Sequence, residues 1–261
     1  MEVIIKKDKQ LGSILGARIM ADVIKKKNSA VIGLATGSTP LSLYNELVRM
    51  HEQEGLSFSR VTSFNLDEYV GLGKEHKCSF ISEMHSNLFS RVDIRPDAIN
   101  IPDGHASDIP DMCANYDEKI RKSGGIDIQL LGIGNDGHLA FNEPGSSLSS
   151  RTRLKTLSHE TLEANSRFFG SIDDVPRHVV TMGLGTIMEA RVCLLLAFGE
   201  DKAEAVYQMV EGAVSATWPG TILQHHPRTI VILDEAAASR LKRKQYYLDV
   251  YAGKPEWQCW E

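Results

Sequence analysis

The sequence predicts an α/β protein with a Rossmann-like, mostly parallel sheet, helices on both faces and a lid segment. Apolar runs of strand length recur along the chain, and amphipathic stretches of helical period separate them. Strands that are buried on both faces read as nearly continuous apolar runs. Around residues 150–180 the periodicity is weak and hydroxyl and basic residues are frequent, which is typical of a lid over an active site.

Individual elements follow from the same pattern. We expect strands at residues 30–35, 61–66, 126–134, 192–198 and 229–234. We expect helices at residues 40–53, 201–212 and 235–247, the first with Thr39 as its N-cap and Pro40 in its first position. Because α/β folds often reach about 250 residues as one unit, residues 1–261 are predicted to form a single domain.

The composition limits the classes of partner. The formal net charge is −5, which argues against nucleic acid or an anionic membrane surface. No apolar run resembles a signal peptide or a membrane span. The cysteines are far apart and form no CxxC motif, so we expect free thiols in a reducing cytoplasm; they are Cys78, Cys113, Cys193 and Cys259.

Polar segments follow the predicted strands, at the sheet edge where ligands of parallel sheets bind. In "ATGSTP" (35–40), Gly37, Ser38 and Thr39 lie between a strand and a helix. Unpaired N–H groups and the helix dipole make such a turn an anion site. Lys202 opens another strand-to-helix turn and can add positive charge. The pattern GxxxxGK[ST] is absent, which argues against a P-loop nucleotide site, and the turn by itself fits either a phosphate site or a capped turn that binds nothing.

The stretch "GIGNDGHLAFNEPGSS" (132–147) holds Asp136, His138 and Glu143. A carboxylate beside an imidazole raises the pKa of the ring and fixes its tautomer, which suits a proton shuttle near neutral pH. The same three residues could instead hold iron or zinc. We rank that alternative lower, because no second histidine lies at ligand spacing and HExxH is absent.

A second acidic motif, "NLDEY" (65–69), places Asp67 beside Glu68 at a predicted strand end. Neighbouring residues of an extended chain point to opposite faces, so only one of the two carboxylates should face a pocket.

Together "LATGSTP", "FNLDEYVGL", "GIGNDGHLAFNEPGSSLSSRTR" and "ANSRFF" resemble the glucosamine-6-phosphate deaminase (isomerase) family, over about residues 1–245. The resemblance implies conversion of D-glucosamine 6-phosphate and water to D-fructose 6-phosphate and ammonia, in N-acetylglucosamine catabolism. It implies a sugar-phosphate ligand and neither a metal nor an organic cofactor.

The resemblance also implies roles for residues of the two acidic motifs. His138 would open the pyranose ring, and Asp136 and Glu143 would orient its imidazole. Asp67 would take the C2 proton and deliver it at C1, while Glu68 would face away from the substrate.

Further roles implied by the resemblance concern the phosphate and regulation. Gly37, Ser38 and Thr39 would bind the phosphate with Lys202, and Arg167 would close over it from the lid. Some family members are hexamers that N-acetylglucosamine 6-phosphate activates at a subunit interface. The matching positions here are Ser146, Arg153, Lys155 and Thr156, so the resemblance favours a homo-oligomer.

Two alternatives remain at this stage: a 6-phosphogluconolactonase-like enzyme on the same fold, and a non-catalytic sugar-phosphate sensor. No helix-turn-helix segment or basic stripe accompanies the chain, which argues against a DNA-bound sensor. Ammonia release would distinguish the deaminase from both.

Overall fold

The protein is built on two sheets, which a computed structural model describes for residues 1–255 and Gln258. In chain order the strands are β1 (Glu2–Lys6), β2 (Val31–Leu34), β3 (Thr62–Asn65), β4 (Asp67–Tyr69), β5 (Ile99–Asn100), β6 (Ile128–Leu131), β7 (Arg153–Thr156), β8 (His178–Thr181), β9 (Cys193–Ala197) and β10 (Thr229–Asp234). Seven of them form a parallel sheet in the order β1-β10-β9-β6-β2-β3-β5. The predicted mostly parallel sheet is therefore confirmed.

Helices cover both faces of this sheet. They are α1 (Lys9–Lys26), α2 (Leu41–Glu54), α3 (Phe80–Asn87), α4 (Ile109–Lys122), α5 (His159–Phe169), α6 (Leu184–Met188), α7 (Ala203–Glu211) and α8 (Lys244–Ala252). On one face α1, α2 and α3 supply a core cluster, and on the other α4, α6 and α7 supply a second. Within the described part of the chain, none of the helices has the length and apolar character needed to cross a membrane.

The two clusters explain why the central strands are apolar throughout. Leu194 and Leu196 of β9 belong to one cluster, while Leu195 between them belongs to the other. The neighbouring strand β6 divides in the same way, with Leu130 in the first cluster and Leu131 in the second. Since successive side chains of a strand point to opposite faces, a strand with a core on each side needs an apolar residue at every position.

Two predicted helix features are wrong. Pro40, not Thr39, is the N-cap of α2, and no side chain among the described residues caps this helix. The helix expected at 235–247 begins only at Lys244. Residues 235–241 instead form turns that bury Ala237, Ala238 and Leu241 in the core, and the Asp234 carboxylate accepts the Ala237 N–H. A capping carboxylate and small buried side chains stabilise turns in place of a helix.

The second sheet is small and antiparallel, with β8 between β4 and β7. Sequence periodicity did not indicate it. Side chains of β7 alternate between half-buried and exposed, and the strand is only four residues long. The predicted lid region contains β7 and α5, and α5 begins at the Ser158 N-cap and ends at Gly170. Phe169 and Leu162 of α5 pack on an aromatic cluster that includes Tyr69.

Asp117 joins the small sheet to the main core. This buried carboxylate accepts hydrogen bonds from the Thr152 hydroxyl (2.5 Å), from Arg151 Nε (3.1 Å) and from the Thr186 hydroxyl (3.2 Å). It thereby connects α4, the segment that leads into β7, and α6. Because buried carboxylates need such partners, the network fixes where β7 begins.

We expect D117A to lower the free energy of unfolding by about 3 kcal/mol, because it leaves several buried donors unpaired. Urea denaturation of both proteins measures the difference. E118A is the matched control on the same helix, since Glu118 pairs with Arg121 at the surface, and we expect a loss below about 1 kcal/mol. Equal losses for the two variants would contradict the assignment.

Candidate active site

A cavity of about 850 Å³ lies at the carboxyl end of the parallel strands. Turns that follow β2, β3, β6 and β9 line it, and α3 and α5 contribute further residues. The sequence prediction that four polar segments meet at one sheet edge is therefore confirmed. The cavity brings together, from the predicted site residues, Gly37, Ser38, Thr39, Asp67, Asp136, His138, Arg167 and Lys202.

The turn after β2 is held from two sides. Gly37, at φ +90°, donates its backbone N–H to Glu83 Oε1 over 2.8 Å. Lys9 Nζ donates to the Ser38 carbonyl over 3.0 Å. The Gly37 N–H is therefore engaged by a protein carboxylate, which corrects the expectation that it is offered to a phosphate. Ser38 and Thr39 keep the predicted position at the start of α2.

Glu83 and Lys9 were missed by sequence reasoning. The signal for Glu83 was faint: it lies on α3 between the buried Phe80 and Met84, at helical spacing. A carboxylate on the buried side of a helix needs a hydrogen-bond donor or an opposite charge, because burying an unpaired charge is unfavourable. That partner, Gly37, is distant in sequence, so no local pattern indicated the contact.

Basic side chains approach the cavity from two elements. Lys202, in the turn before α7, donates to the Asn135 side chain. Burial, together with the nearby charge of Arg167, lowers the pKa of Lys202 against the opposing effect of Asp201. Arg167 lies on α5, with its guanidinium 4.7 Å from the Phe168 ring centroid. A phosphate between Lys202 and Arg167 would relieve the repulsion between these cations.

Asp67 is the most deeply buried carboxylate on the cavity wall, with 5% of its surface exposed. It is the first residue of β4, and its pKa is raised well above the ordinary aspartate value. Burial is the main cause, and the negative charges of Glu68 and Glu83 add to it, while a hydrogen bond with Thr36 opposes them. Such a carboxylate accepts a proton more readily than a solvated one.

Glu68 points away from the cavity, as the family resemblance implies, and only one of the two neighbouring carboxylates lines it, as strand alternation predicts. Its Oε1 accepts the N–H groups of Tyr69 (2.9 Å) and Phe80 (3.0 Å), and its Oε2 accepts that of Ile81 (3.0 Å). Phe80 and Ile81 are the first residues of α3, where the helix dipole favours a negative charge. Glu68 is therefore structural, in agreement with the expectation.

The loop after β6 joins Asp136 to His138. Asp136 Oδ1 lies 2.7 Å from His138 Nδ1 and accepts the His138 N–H over 3.1 Å. Burial raises the pKa of Asp136, but the bonds and charge of His138 outweigh it and lower that pKa overall. A Cβ at Gly134 would lie 2.3 Å from the imidazole, so the ring can occupy this place only over a glycine. Because the Asp136 carboxylate lies beside Nδ1, Nε2 is the nitrogen left for proton exchange.

Glu143 lies elsewhere than expected. Its Oε1 accepts the Ser158 N–H (3.0 Å), the Ser158 hydroxyl (2.8 Å) and the Thr161 hydroxyl (2.5 Å). The structure therefore places this carboxylate at the start of α5, where N–H groups and the helix dipole attract it, and not on His138. Asp136, His138 and Glu143 do not share a ligand position. Over residues 1–255 and Gln258, no group of three or more metal-ligating side chains is assembled.

The residues of the predicted regulatory site divide between two faces. Arg153 and Lys155 are half-buried on one face of β7, and Thr156 is exposed on the other. The Arg153 guanidinium donates to Asn142 Oδ1 (2.9 Å), and burial lowers the pKa of Arg153. Ser146 is buried, and its hydroxyl has no hydrogen-bond partner in the described part of the chain. The set thus stays a prediction, with Thr156 directed away from the others.

Comparison with known proteins agrees with this geometry. The family model for glucosamine-6-phosphate isomerases/6-phosphogluconolactonase matches residues 11–232. The chain belongs to this family. Glucosamine-6-phosphate deaminase of Mycolicibacterium smegmatis is 54% identical over 260 residues, which are 99% of each chain. Glucosamine-6-phosphate deaminase of Corynebacterium kroppenstedtii is 51% identical over 258 residues, again 99% of each.

Solved structures in the family share the fold. One, described as a monomeric glucosamine-6-phosphate deaminase, superposes with a TM-score of 0.90 at 44% identity, covering 92% of this chain and all of the other. The 6-phosphogluconolactonase from Trypanosoma cruzi gives a TM-score of 0.74 at 22% identity, over 92% of this chain and 97% of the other. At that identity the second likeness shows the fold alone.

We expect E143A to loosen α5, since the substitution removes three hydrogen bonds at the start of this helix. Amide hydrogen exchange across α5 should accelerate about tenfold or more. E163A, which removes an exposed carboxylate on α5 itself, is the control and should change exchange much less. Unchanged exchange in E143A would show that Glu143 does not hold the start of α5.

Proposed function

We propose that this protein converts D-glucosamine 6-phosphate and water into D-fructose 6-phosphate and ammonia. One observation carries the proposal: a single cavity holds Asp67, a buried carboxylate of raised pKa, together with the His138–Asp136 pair. Two distinct proton transfers therefore have separate groups to perform them. Family members named for this reaction, about half identical over the whole chain, support it.

Ring opening is the first step. The anomeric hydroxyl of the closed sugar must lose a proton and the ring oxygen must gain one. His138 moves this proton, because Asp136 orients Nδ1 and leaves Nε2 to exchange. Glu143 acts at a distance in this scheme: it fixes the start of α5, which covers the cavity and carries Arg167.

Isomerisation and deamination follow. Asp67 takes the proton from C2 of the open-chain aldose and returns it to C1, so one carboxylate serves both carbons. The C1 carbonyl oxygen gains a proton and the C2 amino group loses one, so C1 becomes an alcohol and the double bond lies between C2 and nitrogen. Water adds to this ketose imine, and ammonia leaves. Because Asp67 is buried near Glu83 and Glu68, its carboxylate has the proton affinity that abstraction from carbon requires.

The phosphate lies, in this proposal, at the N-terminus of α2. The Ser38 and Thr39 N–H groups approach it there, since no side chain in the described residues caps this helix. Lys202 and Arg167 supply positive charge from the turn before α7 and from the lid. Gly37 contributes through the shape of the turn, because its own N–H is bound by Glu83.

The wider setting extends the same proposal. The reaction consumes water and releases ammonia, so the enzyme acts as a hydrolase in N-acetylglucosamine catabolism, and we place it in the cytoplasm. The family resemblance favours a homo-oligomer, a hexamer that responds to N-acetylglucosamine 6-phosphate through Ser146, Arg153 and Lys155. A relative 44% identical is described as monomeric, so light scattering with and without that ligand is the relevant measurement.

We expect wild-type protein to release ammonia from glucosamine 6-phosphate without added metal and with a chelator present. D67N should release it about a thousandfold more slowly, since the base is lost. Coupled ammonia assay measures both. D97N, at an exposed carboxylate outside the cavity lining, is the control and should retain wild-type rates. Absence of ammonia from wild type, with or without N-acetylglucosamine 6-phosphate, would favour the lactonase or the sensor.

We expect K202M to raise KM about tenfold to a hundredfold with a smaller change in kcat, because the lysine binds a phosphate that does not react. Steady-state kinetics separate the two constants. K74M removes an exposed lysine outside the cavity lining and should leave KM unchanged. A loss in kcat alone would place Lys202 at the reacting carbons instead.

A further inference from the structure

A second carboxylate, Glu83, shares the cavity with Asp67, and the mechanism above gives it no chemical step. It lies on α3, partly buried, with Oε1 accepting the Gly37 N–H over 2.8 Å. An anion-binding turn normally offers such an N–H group to its ligand. Here a protein carboxylate takes it, close to the place where a dianionic phosphate is proposed to bind.

We propose that Glu83 is a positioning residue: it holds the phosphate turn through Gly37, and it places a negative charge in the same cavity as Asp67. The inference rests on the proposed function, since it assigns Glu83 a part in the same reaction.

The first half of the proposal concerns the geometry of the turn. Glu83 binds the N–H of the peptide between Thr36 and Gly37, and Lys9 binds the carbonyl of the peptide between Ser38 and Thr39. In a trans peptide the N–H points opposite to the C=O. Lys9 therefore directs the Thr39 N–H, and Glu83 fixes the peptide between Thr36 and Gly37. The peptide that carries the Ser38 N–H lies between these two held peptides, so the turn is shaped before the phosphate arrives.

The second half concerns charge. Glu68 and Glu83 both raise the pKa of Asp67, after burial. Glu68 accepts three backbone N–H groups, which offset part of its charge, whereas the Glu83 side chain accepts one among the described residues, that of Gly37. Burial raises the pKa of Glu83 itself, against the Gly37 hydrogen bond. A charge that is weakly compensated and faces the same cavity repels a second negative charge on Asp67.

Other charged and titratable groups surround this pair of carboxylates. From α2, α4 and β4 these are Tyr44, Tyr116, Glu68 and Tyr69; from the rest of the cavity wall they are Lys9, Lys77, Cys78, Asp136, His138, Glu160, Arg167, Asp201 and Lys202. Substitution at Glu83 leaves every one of them in place. A difference between the wild type and a Glu83 variant therefore reports Glu83 itself.

Two variants separate the halves of the proposal. E83Q keeps an oxygen that can accept the Gly37 N–H but removes the charge. Its acid limb of kcat/KM against pH should move down by about half a pH unit or more, with KM near the wild-type value. E83L removes both acceptor and charge, so its KM should also rise about tenfold. Since the substrate is the same throughout, its own titration cancels between variants.

The control is E160Q, which removes another cavity-lining carboxylate, on the lid; its acid limb should stay in place. An unshifted limb in E83Q would overturn the role in charge, and an unchanged KM in E83L would overturn the role in the turn. Urea denaturation of each variant shows whether it remains folded.

A direct titration separates this inference from the proposed function. The Asp67 carboxyl ¹³C resonance, followed by NMR in wild type and E83Q, should give a lower pKa in E83Q. If wild type releases no ammonia, the proposed function fails, yet this titration still tests the effect of Glu83. If wild type releases ammonia and the Asp67 pKa is the same in both proteins, the inference alone is wrong.

Discussion

The whole site depends on the point where the chain leaves one sheet and enters another. β3 ends at Asn65 in the parallel sheet, and β4 begins at Asp67 in the antiparallel one, so Leu66 alone separates them. Its N–H donates to the Leu34 carbonyl of the parallel sheet, and its carbonyl accepts the Met182 N–H from the segment that follows β8. One residue is thus hydrogen-bonded to both sides of the molecule. This constraint buries Asp67 between the two sheets and turns Glu68 away from the cavity.

The division into two sheets also explains how the cavity is made. Parallel strands end in turns whose N–H groups and helix termini suit an anion. The small sheet carries α5 across those turns, and buried carboxylates secure it at two places. Asp117 ties the start of β7 to the core, and Glu143 ties the start of α5 to the loop that bears His138. β7 and α5 are therefore held in place by residues that do not themselves need to contact a substrate.

Three carboxylates lie close together around β4 and α3, and the number of donors that each receives separates their roles. Glu68 accepts three backbone N–H groups and is a helix cap. Glu83 accepts one and braces a turn. Asp67 is the most buried carboxylate on the cavity wall, and only a Thr36 hydrogen bond opposes the rise in its pKa. The number of donors that the fold supplies to each carboxylate thus sets how far its negative charge is compensated.

Residue order by itself determined the parallel sheet, its cavity edge and the family. The runs around Leu131 and Leu195 are apolar because their strands pack against a core on each face of the sheet. This pattern can be recognised in the sequence itself. Strand alternation predicted that only one of Asp67 and Glu68 faces the cavity, and the family resemblance indicated Asp67. The tertiary structure decided the rest: the short, half-exposed strand β7, the attachment of Glu143 to Ser158 rather than to His138, and the capture of the Gly37 N–H by Glu83. These contacts join segments that are separated in the sequence. A hydrogen bond between two such segments forms only where the fold brings them together, and no local sequence pattern specifies that position.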